Sequence, residues 1–408
     1  MTTQGRPGCA SRLGGWHGCG QGLILFIGLI LATTSAEATP RMISYGYPNC
    51  ISCHVSVQGR GLLNGYGRGI EMAQSYSKKD FTAMLFARIG NQEDPSGNWD
   101  GRFGSVLLDF LATSRASHQF DTGTTDRIFA AVYRQVLFFG ERDLFRINTE
   151  FGFQDSGLAD SKLGPHRTAI GGDALFIKKM LIEWRINENG TAGGQEVAFG
   201  RDYLPLGLHI DDYTTFLLHL NRNGIYDYPL QLKYFFWNEK SLASAFVYAP
   251  SFEEPSDNRE YGGGALYERY PTNNLALGVQ TLAGFADESD RLRIGGYIRW
   301  GISNKWTLLS GTDYSALWQS GPSGEQGSQV TAYAQLYYHH YEWLVSSVTA
   351  NYAFSDVFTS KDHLNSFRYT TSARLNRNLT VGITYSAGDI LRDLGHAQEL
   401  ALFATIKF

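Results

Sequence analysis

The segment Phe145-Arg-Ile-Asn-Thr-Glu-Phe-Gly-Phe153 decides the fold. Phe145, Ile147, Thr149, Phe151 and Phe153 fall on one face of an extended chain, and Arg146, Asn148 and Glu150 fall on the other. Successive side chains of a strand point to opposite sides, so a period of two marks a strand with one apolar and one polar face. The pattern returns in 291–300, where Leu292, Ile294, Ile298 and Trp300 oppose Arg291, Arg293 and Arg299. In 367–375, Phe367, Tyr369, Ala373 and Leu375 oppose Arg368, Ser372 and Arg374. The chain ends with Leu400, Leu402, Ala404, Ile406 and Phe408 set against Glu399, Thr405 and Lys407.

Working outward, the alternation predicts sixteen strands: 103–116, 127–138, 142–154, 173–187, 195–203, 229–237, 241–250, 262–270, 274–285, 290–302, 305–318, 328–341, 343–355, 365–376, 378–388 and 397–408. Soluble β-sandwiches alternate too, so the connections must discriminate. Gaps after odd strands are mostly long and polar, such as 155–172, 204–228, 251–261 and 319–327. Gaps after even strands are mostly short, such as 139–141, 238–240, 271–273 and 303–304. Long loops at one end and short turns at the other are how outer-membrane barrels are built. Trp237, Trp300, Trp306, Trp318 and Trp343 sit near strand ends, as interfacial aromatics do. The expected fold is all-β: a transmembrane antiparallel β-barrel of about 16 strands, with 14–18 as the range. An even count returns both ends of the barrel to the periplasmic side. One long connection differs, because 211–222 reads as helical with Asp211 or Asp212 as its cap. Such a loop either folds into the lumen or covers it from outside.

Composition agrees. The 408 residues hold 46 Gly, 11 Pro, 25 Phe, 23 Tyr and 8 Trp, with only 18% charged residues. That mixture excludes a disordered chain, a collagen and a coiled coil. A net charge of −4 gives no footing for nucleic acid.

The first 38 residues read as a secretory signal peptide. Arg6 and Arg12 give a basic start, Leu23–Leu31 an apolar run, and Ala36-Glu-Ala38 a small-x-small cleavage site. The apolar run is shorter than the roughly 20 residues of a spanning helix. Removing residues 1–38 takes away Cys9 and Cys19 and leaves Cys50 and Cys53.

Those two lie in Cys50-Ile51-Ser52-Cys53-His54, the C-x-x-C-H pattern of c-type haem attachment. Two thiols add across the two vinyl groups of one haem, and the next residue, His54, becomes the proximal iron ligand. Covalent tethering lets a short peptide keep a haem that packing alone would not hold. A structural zinc generally takes four protein ligands, and this stretch supplies three. A thioredoxin-like pair requires a βαβ context that is absent here. A simple exported disulfide is the other reading. Met72, in the same segment, is the expected distal ligand, since a Met/His pair raises the haem potential. His118, His166, His209, His219, His339, His340, His363 and His396 are read as ordinary surface or interface histidines. The glycines of Gly59-Arg-Gly-Leu-Leu-Asn-Gly-Tyr-Gly-Arg-Gly69 form no phosphate loop, and mark a tight chain path past the porphyrin.

The expected organisation is therefore a signal peptide over 1–38, a monohaem cytochrome c segment over 39–80, a lead-in over 81–102 and a porin-like barrel over 103–408. A haem segment of about 40 residues is near the lower limit for folding alone. It is expected to dock at the periplasmic side or in the lumen. There Arg146, Arg291, Arg293, Arg299, Arg368 and Arg374 face inward as candidate partners for haem propionates.

This combination resembles the fused cytochrome–porin proteins, whose best-known members are outer-membrane iron(II) oxidases. The likeness is carried by Tyr47-Pro-Asn-Cys-Ile-Ser-Cys-His54 and by Tyr66-Gly-Arg68, with Asn64-Gly65 standing where the family motif often has Thr-Pro. Over the rest of the chain it is architectural. The resemblance implies one covalent haem c on Cys50 and Cys53, with His54 on the iron. It implies electron transfer through the outer membrane of a Gram-negative bacterium, from an extracellular donor such as Fe(II) to periplasmic c-type cytochromes. No protein acid–base pair is expected, because the cofactor carries the redox chemistry. Two other readings stand beside it: an outward conduit to extracellular acceptors or partner cytochromes, and a non-enzymatic diffusion porin whose haem segment is a plug or sensor.

Overall fold

The computed structural model describes residues 41–57, 62–77, 102–103, 106–139, 144–154, 175–189, 192–208, 229–250, 260–286, 289–319, 326–357, 360–390 and 395–407. The signal peptide, most of the lead-in, the helical stretch 211–222, His166, His209, His219 and Phe408 lie outside them.

The alternating stretches form one antiparallel sheet of seventeen strands. β1 is the two-residue Arg102–Phe103, which pairs back onto the start of β2. The staves follow as β2 (Val106–Gln119), β3 (Thr125–Phe139), β4 (Phe145–Gln154), β5 (Leu175–Glu188), β6 (Gly193–Arg201), β7 (Leu230–Asn238), β8 (Ser241–Ala249) and β9 (Glu260–Thr272). Then come β10 (Leu275–Ala286), β11 (Ser289–Gly301), β12 (Trp306–Gln319), β13 (Gln326–His339), β14 (Leu344–Val357), β15 (Ser360–Asn376), β16 (Leu379–Ile390) and β17 (Gly395–Lys407). Each stave pairs with its neighbour in sequence, and β17 pairs with β2 from Lys407↔Leu111 to Glu399↔Gln119. The sheet is thus a closed barrel of sixteen staves, and every predicted strand corresponds to one of them. Boundaries move by a few residues. The first stave starts at Val106 rather than 103, because Arg102–Phe103 turns back as β1.

The two faces separate as the alternation requires. Met180, Ile182 and Trp184 on β5, Leu232, Tyr234 and Phe236 on β7, and Leu292 and Ile294 on β11 point outward and are exposed. An apolar belt of this extent around a barrel suits lipid rather than water. Trp300, Trp306 and Trp318 lie exposed near strand ends, as predicted. Trp237 does not: it is fully buried and faces inward, so it belongs to the core and not to the aromatic girdle.

The connections divide as expected. Residues 155–174, 202–229 and 250–259 join staves at one end, although that end also has the two-residue connections 287–288 and 358–359. At the other end every turn is short, down to 239–240, 273–274 and 377–378. The barrel begins and finishes at the short-turn end.

The described part of the N-terminal segment lies within that end. α1 (Arg41–Ser44), a 3-10 turn at Cys50–Ser52 and α2 (Gly65–Ala73) carry it. Ile51 and Val57 pack on Phe235, Trp237, Leu242, Leu266, Tyr270 and Ala276. Val55 and Leu62 pack on Val136 and Phe138 of β3. Arg68 donates to the carbonyl of Leu108 on β2 at 3.0 Å, and Glu71 receives Lys407 of β17 at 3.0 Å. Tyr76 and Ser77 add backbone hydrogen bonds to Arg374 and Leu375 of β15, at 2.9 and 2.8 Å.

The long connection after β6 starts inward from the opposite end. Asp202 pairs with Lys233, and with Lys179 at 3.5 Å. Leu204 and Leu206 lie on Phe246, Tyr248 and Leu282. Leu208 joins Ile43 of α1, Leu309 and Tyr333 in one apolar cluster. The first residues of this loop therefore fold into the lumen and share a hydrophobic cluster with the N-terminal segment.

Candidate cofactor-attachment site

Two asparagines shape the C-x-x-C-H turn. Asn49 caps the 3-10 turn, its side-chain oxygen accepting the Ile51 amide at 3.1 Å. The Cys50 carbonyl accepts the amides of both Cys53 and His54, at 3.2 and 3.0 Å. One turn therefore holds both thiols and the imidazole. Asn64 braces it from the other side, donating to the carbonyls of Ile51 and Ser52 at 3.3 and 3.2 Å. The same side chain accepts the Gly67 amide at 2.8 Å and so caps α2. His54 and Leu63 form an isolated β-bridge, which brings the start of α2 over the turn.

That approach explains one glycine of the run. A Cβ on Gly67 would collide with the Cys53 carbonyl oxygen. Gly67 is needed where the helix crosses the Cys53 backbone, while Gly69 meets nothing within 4 Å.

The thiols sit in different surroundings. Both are free. Cys53 is buried among Met42, Leu63, Tyr47 and Ile70. Burial, with a smaller contribution from Cys50, pushes its thiol up to about 11. Cys50 is half-buried and meets the inner wall, its sulfur 3.3 Å from Nη1 of Arg299. Nη2 of Arg299 pairs with Glu268, and the Tyr297 hydroxyl donates to that carboxylate at 2.7 Å. His54 is buried, and the next residue, Val55, gives its carbonyl to Arg185 of β5. Arg185 is held by Glu196 at 2.8 Å and lies over the Trp237 ring. Two wall arginines thus grip the motif, one at each end.

Of the six inward arginines named from sequence, Arg299 is the one seen against a cysteine. Arg291 pairs with Glu260 and Arg293 with Asp313, both at 2.7 Å. Arg146 lies over the Phe138 ring, Arg368 donates to Ser386 at 3.2 Å, and Arg374 donates to the Glu71 carbonyl at 3.4 Å. Met72 lies in α2. His118 contacts Thr125 and His340 contacts Ser346, while His363 is exposed, as surface histidines would be. His339 differs: it is fully buried, with Nε2 3.4 Å from the Thr307 hydroxyl.

Arg185, Glu268 and Tyr270 were not foreseen. No local pattern marks them, because they meet the motif only through barrel closure. Asn49 and Asn64 did carry a signal, since each precedes a helical turn as a good cap.

The donor set fits a covalently attached haem. Two free thiols and an imidazole share one turn. Beside Cys50, the Arg299 Nε is buried and completes no hydrogen bond among the described residues, and the Tyr270 hydroxyl faces the Glu268 carboxylate.

No family model and no curated protein matches the chain. Solved structures do. OmpT of Vibrio cholerae, an outer membrane protein, aligns with a TM-score of 0.55 at 10% identity, over 75% of this chain and 99% of that one. OmpF of Salmonella typhi, solved with daunomycin, aligns at 0.53 and 10% identity, over 74% and 97%. The outer membrane channel DcaP of Acinetobacter baumannii aligns at 0.50 and 10% identity, over 74% and 97%. This chain has the porin-like fold of an outer-membrane β-barrel. At such identities the likeness is one of fold alone.

Proposed function

We propose that this protein is a cytochrome–porin fusion of a Gram-negative outer membrane, carrying one covalent haem c and moving electrons across that membrane. Cys50 and Cys53 hold the haem, and His54 ligates its iron, with Met72 as the proposed sixth ligand. The observation that carries the reading is the Cys50-x-x-Cys53-His54 turn lying inside the short-turn end of the barrel, against Arg299 and Arg185. Once bound, the haem supplies one-electron chemistry. The chain's residues anchor and shield it: Asn49 and Asn64 fix the turn, α2 covers Cys53, and the wall excludes water. Residues 1–38 direct export, and 39–80 form the haem-bearing plug, with its periplasmic side facing c-type cytochromes. The extracellular donor proposed first is Fe(II), and outward flow to extracellular acceptors is the reverse of the same path.

A diffusion porin with a haem-bearing plug is the second reading, and the solved channels fit it more closely than they fit electron transfer. Purified protein in liposomes separates the two. Electron exchange across the bilayer with little ion leakage is the expected result, and free ion conduction without exchange would favour the porin. Haem staining of an outer-membrane fraction should find the protein, and Cys50→Ala should lose the covalent stain. Fe(II) should reduce the haem spectrum of the purified protein, and no reduction at any workable pH removes iron as donor.

A further inference from the structure

We propose that Tyr66, with Tyr47 beneath it, is the point through which electrons pass between the haem and a soluble periplasmic cytochrome, an inference that rests on the haem reading above. The two thiols of the motif lead to different surroundings. Cys50 meets the inner wall at Arg299, so the barrel itself closes that side. Cys53 lies in the cluster that Tyr47 packs against. The Tyr66 hydroxyl donates to the Tyr47 hydroxyl, and the two ring centroids are 5.8 Å apart, a contact distance for a tilted aromatic pair. Tyr66 is also tied to Cys53 through its neighbour Gly67, which crosses the Cys53 carbonyl too closely for any Cβ.

The outer end of this pair is open. Cys53 is 5% exposed, and Tyr66 is 51% exposed. A Cβ on Gly46, the residue before Tyr47, would lie 3.6 Å from the Cβ of Asn273, an exposed residue of the turn 273–274. The pair therefore stands at the mouth of the short-turn end, which the reading above sets in the periplasm. A buried thioether edge and an exposed ring, joined by one further ring, form a path from haem to solvent without a wide gap. Aromatic side chains are favoured contacts between proteins. Redox encounters bury little surface, below roughly 1,200 Å², so one exposed ring over the haem edge is a large part of such a contact. The step moves one electron and no proton. In the inward direction the ferrous haem becomes ferric, and the ferric haem of the soluble cytochrome becomes ferrous. The tyrosines are not consumed, and their rings supply overlap and contact surface.

The test uses the full chain, matured with haem in an outer membrane and purified, as wild type, Y66A, Y66F and Y341A. The probe is a soluble monohaem cytochrome c in its ferric form, mixed with the reduced protein in a stopped-flow cell. Read-outs are covalent haem stain, midpoint potential and the second-order rate of electron exchange. Y66A should keep the stain and the potential and slow exchange by about tenfold, the lower end of the spread that on-rates show among variants of one interface. An unchanged potential separates a lost path from a changed driving force. Y66F keeps the ring and should stay near wild type. Tyr341 is 61% exposed on the rim, stacked on Trp343 at 5.6 Å, so Y341A controls for loss of an exposed aromatic elsewhere and should exchange at the wild-type rate. Heat-modifiable migration checks that each barrel has folded, and Y66L, which keeps apolar bulk without a ring, decides the matter should Y66A not fold. Wild-type exchange in stained Y66A overturns the proposal and leaves the haem reading intact. An equal loss in Y341A, or a Y66F as slow as Y66A, overturns it in the same way. A wild type that takes no haem stain overturns both, and a stained wild type that exchanges no electron with the cytochrome overturns the proposal together with the electron-transfer reading.

Discussion

Two walls of the same barrel face the lumen in different ways. The wall from β7 to β12 presents Phe235, Trp237, Tyr270, Tyr297 and three arginines, each arginine matched to a carboxylate on another stave. The wall from β14 to β16 presents mostly small hydroxyl and amide side chains bonded to one another, with Arg368 on Ser386 and Arg374 at the rim against Glu71 as its inward arginines. Asn351 donates to Ser366 at 3.1 Å, and Thr370 contacts Thr384 at 3.0 Å. The first wall receives Ile51, Val57 and Cys50 from the N-terminal segment and Leu204 and Leu206 from the inward loop. The second is met by the segment mainly at its rim, through Tyr76, Ser77 and Glu71. Large aromatic and paired charged side chains collect where tertiary partners arrive. A plain solvated wall needs only small polar groups. If the difference is functional, disturbing the first wall should release the segment, and disturbing the second should not.

The largest effect is expected from Trp237→Ala. Trp237 is fully buried and packs with both Ile51 and Val57. Truncating a buried tryptophan costs about 3–5 kcal/mol. Limited proteolysis should cut within 41–77 in the variant while the barrel stays intact on a heat-modifiability gel. Continued protection would break the contrast between the walls.

Next comes Glu71→Gln. Glu71 is buried, and burial alone would raise its carboxyl. Lys407, Arg374 and Arg377 outweigh that and hold it below the usual carboxylate range. A depressed folded value means the docking energy is full above the ordinary carboxylate value and is lost as pH falls through the depressed one. Protease protection of α2 should therefore hold at neutral pH and fall in acid. Glu71→Gln should cost about 1–3 kcal/mol and flatten that pH dependence. Acid sensitivity unchanged in the variant would assign it to another group.

Leu208→Asp acts on the inward loop. Leu208 shares its cluster with Ile43, Leu309 and Tyr333. A charge placed there should loosen the contact between loop and segment and raise ion conductance in a planar bilayer, with haem stain retained. No rise would mean that this cluster does not seal the lumen.

How far the sequence foretells this contrast depends on what each residue meets. All sixteen staves were legible, because a two-residue period needs only the chain itself. The polar face of β11 was legible too: Arg291, Arg293 and Arg299 were placed inward. Their partners were not. Asp313 reaches Arg293 from β12, in the space left where Gly295 has no side chain, and Glu268 reaches Arg299 from β9. Such pairs depend on register between staves, which alternation does not specify. Trp237 misled for a related reason. It stands at a strand end like the girdle tryptophans, but its parity turns it inward onto Ile51. Of the site, the motif itself was legible, and so in principle were its asparagine caps. Its grip by Arg185 and Arg299 was not, because each contact spans more than a hundred residues of chain.

The smallest effect should come from Thr349→Val, the control for the quiet wall. Thr349 faces inward on β14, is 1% exposed, and its hydroxyl completes no hydrogen bond among the described residues. Replacing an unmade donor by a methyl of similar size removes a desolvation cost and no bond. The barrel's thermal midpoint should move by less than about 0.5 kcal/mol equivalent, in either direction, and the segment should stay protected. Release of the segment by so slight a change would mean that the β14–β16 wall supports it as closely as β7–β12 does, and the two walls would then differ in chemistry but not in role.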